Sequence, residues 1–440
     1  MNAEVRPIKT AAETALSVAF ATAKGKLPGA AAERESAFKR FEAAGLPHRR
    51  VEEWKYTDLR ALMRDAKPLA APPDAAAKVR AKNAGAALAA VEGRRIVLVD
   101  GTFVPELSDL AALEPGLTIR SMAQALASGD AAVAERLGRV VPNDNVAVAL
   151  NTAFMGDGIV IEVAAGAALT RPLHLVFFNA GGAPASVFTR SLAVIGKGAR
   201  AMLIESHEGV AGSDYQINTA LEIVVGDEAH VDHIKITGEG AGSLHVSSLM
   251  AAIGAQARFN EFLFTTAAAV VRNQLFVHFN GERTVAGIRG AALLNGDQHA
   301  DTTLVVDHTA GACISREVFK TVLDGESRGV FQGKIIVQQG AQKTDAKMSA
   351  HALLLSEEAE ADSKPELEIF ADDVQCGHGA TTGALDDDLL FYLRARGIPA
   401  KEAEALMIQA FVGEAVDGIE HAGLRDTLIE HVAAWLKTRR

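Results

Sequence analysis

The spacing of apolar residues changes character twice along the chain. Up to about residue 90 the texture is helical. Ala, Glu, Lys and Arg dominate, and ALSVAFATA (Ala15 to Ala23) reads as one helix face. SAFKRFEAAGLP stops on Gly45 and Pro47, residues that end helices. EEWKYTDLRALM follows, with Trp54, Leu59 and Leu62 expected inside and Trp54 and Tyr56 as anchors of a helical domain. Three prolines between Lys67 and Asp74 mark a linker, and the Ala-rich run after it is expected as helix or connector.

From Arg94 the pattern shortens into β-branched runs bounded by glycine: RRIVLVDG, GLTIRS, GIVIEVAAG, LHLVFFN, and so on to KIIVQQG. Gly296, Gly311, Gly325 and Gly340 recur at about 15 residues. That is too short for a strand–helix–strand unit. Many short strands with no helices between them favour a β-solenoid, whose stacked coils bury one continuous core. Such a stack has open edges, and helical domains at both ends are expected to cap it.

After Thr382 the helical texture returns. Asp386, Asp387 and Asp388 sit where a helix N-terminus favours negative charge. LLFYLRARG closes on Gly397, and Pro399 opens KEAEALMIQAFVGEAVDGI, with Ala403, Leu406, Met407, Ala410, Phe411 and Val412 as its apolar stripe. The expected division is a helical N-terminal domain with linker (1–93), a β-helix core (94–380) and a helical C-terminal domain (381–440).

Composition narrows the function. Of 440 residues, 49% are hydrophobic and 22% charged, the balance of a soluble globular protein. A net charge of −11 argues against nucleic-acid or acidic-membrane binding as the main task. No apolar run reaches the length needed to span a bilayer, and Glu4 and Glu13 spoil any signal-peptide reading of the N-terminus. Two cysteines, Cys313 and Cys376, make no disulfide framework and point to the reducing cytoplasm. Cys313 reads as a core residue.

The chemistry concentrates near Cys376. PELEIFADDVQCGH alternates as an extended run, so Cys376 and His378, two apart, share a face and present a thiol and an imidazole together. That is half a site for iron or zinc. Two ligands do not complete one, and the rest must come from elsewhere, including another subunit. His230 and Asp232 share a strand face and His233 faces away, so this trio does not converge by itself. GVFQGK lacks the spacing of a phosphate loop, GEGAGS is no dinucleotide fingerprint, and HExxH, GxSxG and CxxC are absent. The chain is not expected to be an enzyme or to hydrolyse ATP.

Three segments carry a resemblance. RVEEWKYTDLR (Arg50 to Arg60), GVFQGKIIVQQGAQKTDAK, and KPELEIFADDVQCGHGATTGALDDDLLFYLRARGI resemble signatures of the SufD group in the SufB/SufD family of the SUF iron–sulfur cluster assembly system. One departure is Gly377, where the family pattern has Ser. The resemblance implies a right-handed parallel β-helix core flanked by helical domains. It implies a scaffold that pairs with SufB and recruits the ATPase SufC, which deforms the pair and exposes a cluster-forming site. It makes His378, with Cys376 as the weaker candidate, an iron or cluster ligand at the SufB–SufD interface. It makes Leu406, Met407 and Phe411 candidate SufC contacts. It further implies a transient iron–sulfur cluster or iron at that interface, reduced flavin on the complex, no cofactor held tightly by the isolated chain, and a homodimer when SufB is missing. Two other readings compete: a structural partner with Cys376 and His378 inert, and a polysaccharide-degrading β-helix using carboxylates such as Asp297, Asp301 and Asp307.

Overall fold

A computed structural model describes residues 9–142 and 144–439. Its centre is a β-solenoid in which successive strands alternate between two sheets. Sheet I stacks Leu173–Asn179, Arg200–Gly209, His230–Thr237, Arg258–Thr265, Val285–Leu294, Ile314–Leu323, Asp345–Leu354 and Gln375–Gly383, all parallel. Sheet II stacks Ile159–Val163, Ala185–Ile195, Tyr215–Val225, Ser243–Ile253, Val270–Phe279, His299–His308, Arg328–Val337 and Glu360–Ile369, again parallel. Neighbouring coils are offset by 26 residues at the shortest (Leu244 to Val270) and 32 at the longest (Arg328 to Glu360). The glycine punctuation of about 15 residues is therefore half a coil: one strand and one corner.

Strand alternation divides each sheet between the lumen and an outer face. The lumen is filled by Leu203, Val231, Phe259, Ile288 and Phe319 from sheet I against Ile195, Ile223, Leu249, Leu275 and Leu304 from sheet II. The intervening residues of sheet I, among them Ile204, Ile236, Phe262, Phe264 and Leu293, form a second apolar face. Two C-terminal helices, Ala400–Val416 and Ala422–Thr438, cover it with Ile408, Val412, Val416, Leu428, Val432 and Trp435. On the other side, helices Ala11–Ala23, Ala31–Ala44 and Val146–Phe154 pack with Leu244 and Val246 of sheet II. The helices thus clothe the two outer faces of the stack instead of plugging its ends. Both outer faces carry apolar residues that these helices bury.

The RVEEWKYTDLR segment is the pin of the N-terminal layer. Trp54 is buried, and the Arg272 guanidinium stacks 3.8 Å from its ring. Arg272 Nη2 donates to the Glu53 carbonyl at 2.6 Å, and its Nη1 pairs with Asp301, which also accepts from the Thr57 hydroxyl. Leu62, expected inside, is exposed because the short helix Leu59–Leu62 turns only Leu59 inward.

Two local expectations change. Residues 122–154, inside the stretch read as strands, hold helices Met122–Ser128, Ala131–Ala134 and Val146–Phe154, capped by Ser121, Asp130 and Asn145. PELEIFADDVQCGH is not one extended run. A corner at 370–374 separates Glu360–Ile369 in sheet II from Gln375–Gly383 in sheet I.

Candidate functional site

The last coil ends the stack, and each of its two strands has one hydrogen-bonded neighbour. Gln375–Gly383 lies beside Asp345–Leu354 only, and Glu360–Ile369 beside Arg328–Val337 only. The two free edges are not alike. EADSKPELEI carries Lys364, Pro365 and several carboxylates, devices that discourage strand addition. QCGHGATTG carries no proline, lysine or acid. A backbone edge without such guards is a template for a further strand.

Cys376 and His378 lie on that unguarded strand. Cys376 is in register with Ala346 and His378 with Met348, both lumen-lining residues. In a parallel ladder, partners in register share a face, so both side chains belong to the lumen side at its mouth. The corner at 370–374 leaves their shared face intact, because it comes before both. Cys376 is half-buried and packs against the end of the lumen core, whereas His378 is exposed. Burial pushes the Cys376 thiol up, and the nearby Asp345 and Glu317 carboxyls push the same way. The thiol is therefore the protonated form at neutral pH and a reluctant ligand unless a metal displaces its proton. Among the described residues, no third His, Cys, Asp or Glu joins this pair in a converging ligand group. Gly377, between them, leaves open space where a Cβ would stand.

The other sequence candidates are dispersed. Leu406 is exposed on the outer side of its helix, and Met407 is half-buried. Phe411 turns toward sheet I, 4.5 Å beneath the Lys320 ammonium, which pairs with Glu414 at 2.5 Å. Nearby, Leu389, Phe391 and Tyr392 are exposed on helix Asp387–Ala395, whose N-terminus is capped by Asp386 as the acid-rich turn foretold. Cys313 is fully buried in the lumen. Asp301 is spent on Arg272 and Thr57, so Asp297, Asp301 and Asp307 form no open pair of carboxylates. A cleft of about 480 Å³ is lined by Arg40, Asp130, Arg139 and Arg190 among others and by nothing from the last coil. Arg190, on its floor, is already paired with Glu222 at 2.6 Å.

A polar cluster lies inside the stack, of which the sequence singled out only His233. Glu205, His207, His233, Lys235, Glu239, His245 and Glu261 are all buried. His233 Nδ1 meets Glu261 Oε2 at 2.6 Å, and Lys235 Nζ donates to Ser247 at 2.7 Å and Asn273 at 2.8 Å. Burial alone would raise the Glu205 carboxyl, but His207, His233 and Lys235 outweigh it and hold it down at about 2. Burial brings the Lys235 ammonium down to about 8 and the His207 imidazole to about 4. The available signal was parity: Glu205 and His207 continue the inward positions of Ala201 and Leu203.

Comparison with known proteins fits this architecture. Residues 177–411 match the family model "SUF system FeS cluster assembly, SufBD core domain", and residues 21–175 match "SufBD protein N-terminal region". The chain is 33% identical to the iron–sulfur cluster assembly SufBD family protein slr0076 of Synechocystis over 91% of this chain and 90% of that one. It is also 33% identical to iron–sulfur cluster assembly protein SufD of Escherichia coli, over 88% of this chain and 89% of that one. With SufD of Bacillus subtilis the identity is 25% over 66% of each.

Proposed function

The chain belongs to the SufB/SufD family of SUF iron–sulfur cluster assembly proteins, and from that premise we propose that it is a SufD-type scaffold subunit working in the cytoplasm. In this reading it pairs with SufB through the last coil and recruits the SufC ATPase through its C-terminal helices. The nascent cluster, or its iron, is cargo handled at the SufB–SufD interface, and the ATPase supplies the work that opens that interface. Reduced flavin, if the complex uses it, belongs to the assembled complex. The same edge would pair two copies of this chain when SufB is lacking.

The observation that carries the reading is the unguarded strand Gln375–Gly383 with a thiol and an imidazole on its lumen side. A strand added there would complete the backbone hydrogen bonding and bring its own side chains to Cys376 and His378, which gather no third ligand among the described residues. The exposed imidazole of His378 is the readier ligand, since the Cys376 proton is held more tightly. The apolar surface of Leu389, Phe391, Tyr392 and Leu406 is a fitting platform for a second protein. No described helix is long and apolar enough to cross a membrane.

The test is anaerobic co-purification with SufB and SufC from the same organism, reading iron, sulfide and the visible spectrum for the wild-type chain and for His378→Ala. A complex whose chromophore drops at least tenfold in the variant supports both the pairing and the ligand role. A complex with full chromophore leaves a structural subunit whose ligands lie on SufB. Absence of any complex overturns the proposal.

A further inference from the structure

We propose that the solenoid lumen contains a second metal site, formed by His207, Glu239 and His245, that takes a zinc-type divalent transition metal and ties sheet I to sheet II. His207 lies on Arg200–Gly209 of sheet I and His245 on Ser243–Ile253 of sheet II. Glu239 is in the corner between His230–Thr237 and Ser243–Ile253. One ligand atom from each falls within 4.8 Å of the others, and all three residues are buried. Ligands around a tetrahedral ion stand about 3.4 Å apart, so small side-chain shifts close the site.

Hydrogen bonding leaves donors to spare here. Neither ring nitrogen of fully buried His207 makes a hydrogen bond, and Glu239 Oε1 has no partner. Glu205 Oε2 lies 3.6 Å from His207 Nε2, beyond hydrogen-bond reach. Unpaired buried groups of this kind are costly unless something fills the gap. A small pocket of about 20 Å³ touches His207 and Thr219 but neither Glu239 nor His245, so the ion's place is the gap among the three ligand atoms themselves. The remaining ligand is held in place. His245 Nδ1 is 2.7 Å from Glu239 Oε2 and its Nε2 3.2 Å from Thr219 Oγ1, so it would exchange one of these bonds for the metal. Phe177 stacks on the His207 ring at 4.6 Å and fixes its plane.

The donor set selects the ion. Two imidazoles and one carboxylate suit zinc, iron(II) or cobalt(II) and are poor ligands for calcium or magnesium. Lys235, buried in the same cluster, opposes a cation, and the Glu205 carboxyl 3.6 Å from His207 offsets it. The site is separate from the Cys376–His378 pair and does not depend on the scaffold reading.

The test uses the full chain carrying Cys376→Ser and His378→Ala, so that the edge pair cannot bind. The apo protein is titrated with cobalt(II), both folded and refolded in its presence, reading stoichiometry and the d–d spectrum. One cobalt per chain with an intense low-symmetry spectrum is expected. His207→Phe keeps the ring packed against Phe177 and removes both unpaired nitrogens. It should lose affinity on the order of 100-fold, given that even supporting residues cost tenfold or more, with apo Tm unchanged or higher. Glu239→Gln provides a second variant with the same expected loss. No saturable binding to the refolded wild-type lumen, or binding that survives both substitutions, overturns the site.

Discussion

Where the solenoid starts, Thr102–Phe103 runs antiparallel beside Arg94–Val99, and Leu117–Ser121 runs antiparallel beside Ile159–Val163. Both sheets are finished there by reversed strands, and the N-terminal helices are pinned over the adjoining face by Trp54. Where the solenoid stops, nothing reverses: the last strand of sheet I offers a bare edge bearing Cys376 and His378. One end is closed by reversed strands and the other leaves an unpaired edge. The difference teaches that edge protection in this chain is applied selectively, since even within the last coil sheet II keeps Lys364 and Pro365 while sheet I has no such guard.

The contrast can be broken from the closed side first. Trp54→Ala removes a buried ring from under Arg272 and should cost about 3–5 kcal/mol in urea unfolding, with the loss located in the N-terminal layer. An equal loss from deleting the exposed side chain of Phe391 would erase the distinction between the pinned and the open regions.

Glu317 sharpens it in the interior behind the open end. Burial raises its carboxyl to about 8, and neither oxygen finds a hydrogen-bond partner. The folded state thus binds a proton that the unfolded chain releases above its ordinary value of 4.5. Its stabilising contribution is present below pH 4.5 and is lost as pH rises through 8. Glu317→Gln should stabilise by about 2–4 kcal/mol at pH 8 and by almost nothing at pH 4.5, read from unfolding curves at the two values.

The buried imidazoles of His174, His207 and His308 behave oppositely. Burial depresses each to about 4, so the unfolded chain takes up protons first. Stability present above pH 6.5 should fall as pH drops toward 4, by on the order of 1–3 kcal/mol per histidine.

The smallest effects on stability belong to the edge itself. Ala380→Lys puts a guard on the bare strand. It should leave Tm within about 1 °C and weaken any association through that edge at least tenfold, measured by light scattering across a concentration series. Gly377→Ser fills open space and should change stability by less than about 0.5 kcal/mol.

Much of this was legible in the sequence. Glycine-bounded β-branched runs identified a solenoid, because each coil repeats the same demand for inward apolar residues and a tight corner. The helical segments before and after it were readable from composition and caps. Val146–Phe154 was not, since VAVALNTAF is β-branched enough to pass as a strand and its helix rests on the Asn145 cap and packing against sheet II. Cys376 and His378 stood out in the sequence because two residues apart on one strand share a face. His207, Glu239 and His245 did not, because only coil register brings such distant positions together. Pairing of the helical layers with the outer faces was likewise a property of the stacked sheets.

The coil length has a consequence for synthesis on the ribosome. Each strand of the main stack waits only about one coil for its partner, so pairing can advance stepwise as the chain emerges. The exception is at the start: Arg94–Val99 must wait for Leu173–Asn179, and the N-terminal helices cannot finish docking until Val246 and Val270 have appeared. The early helices therefore remain incomplete through the first half of translation, when premature docking or a chaperone would matter most. The bare edge at Gln375–Gly383 emerges among the last segments, after the coil beneath it is in place. A strand that is dangerous when exposed is thus kept out of solution until there is a finished scaffold to carry it.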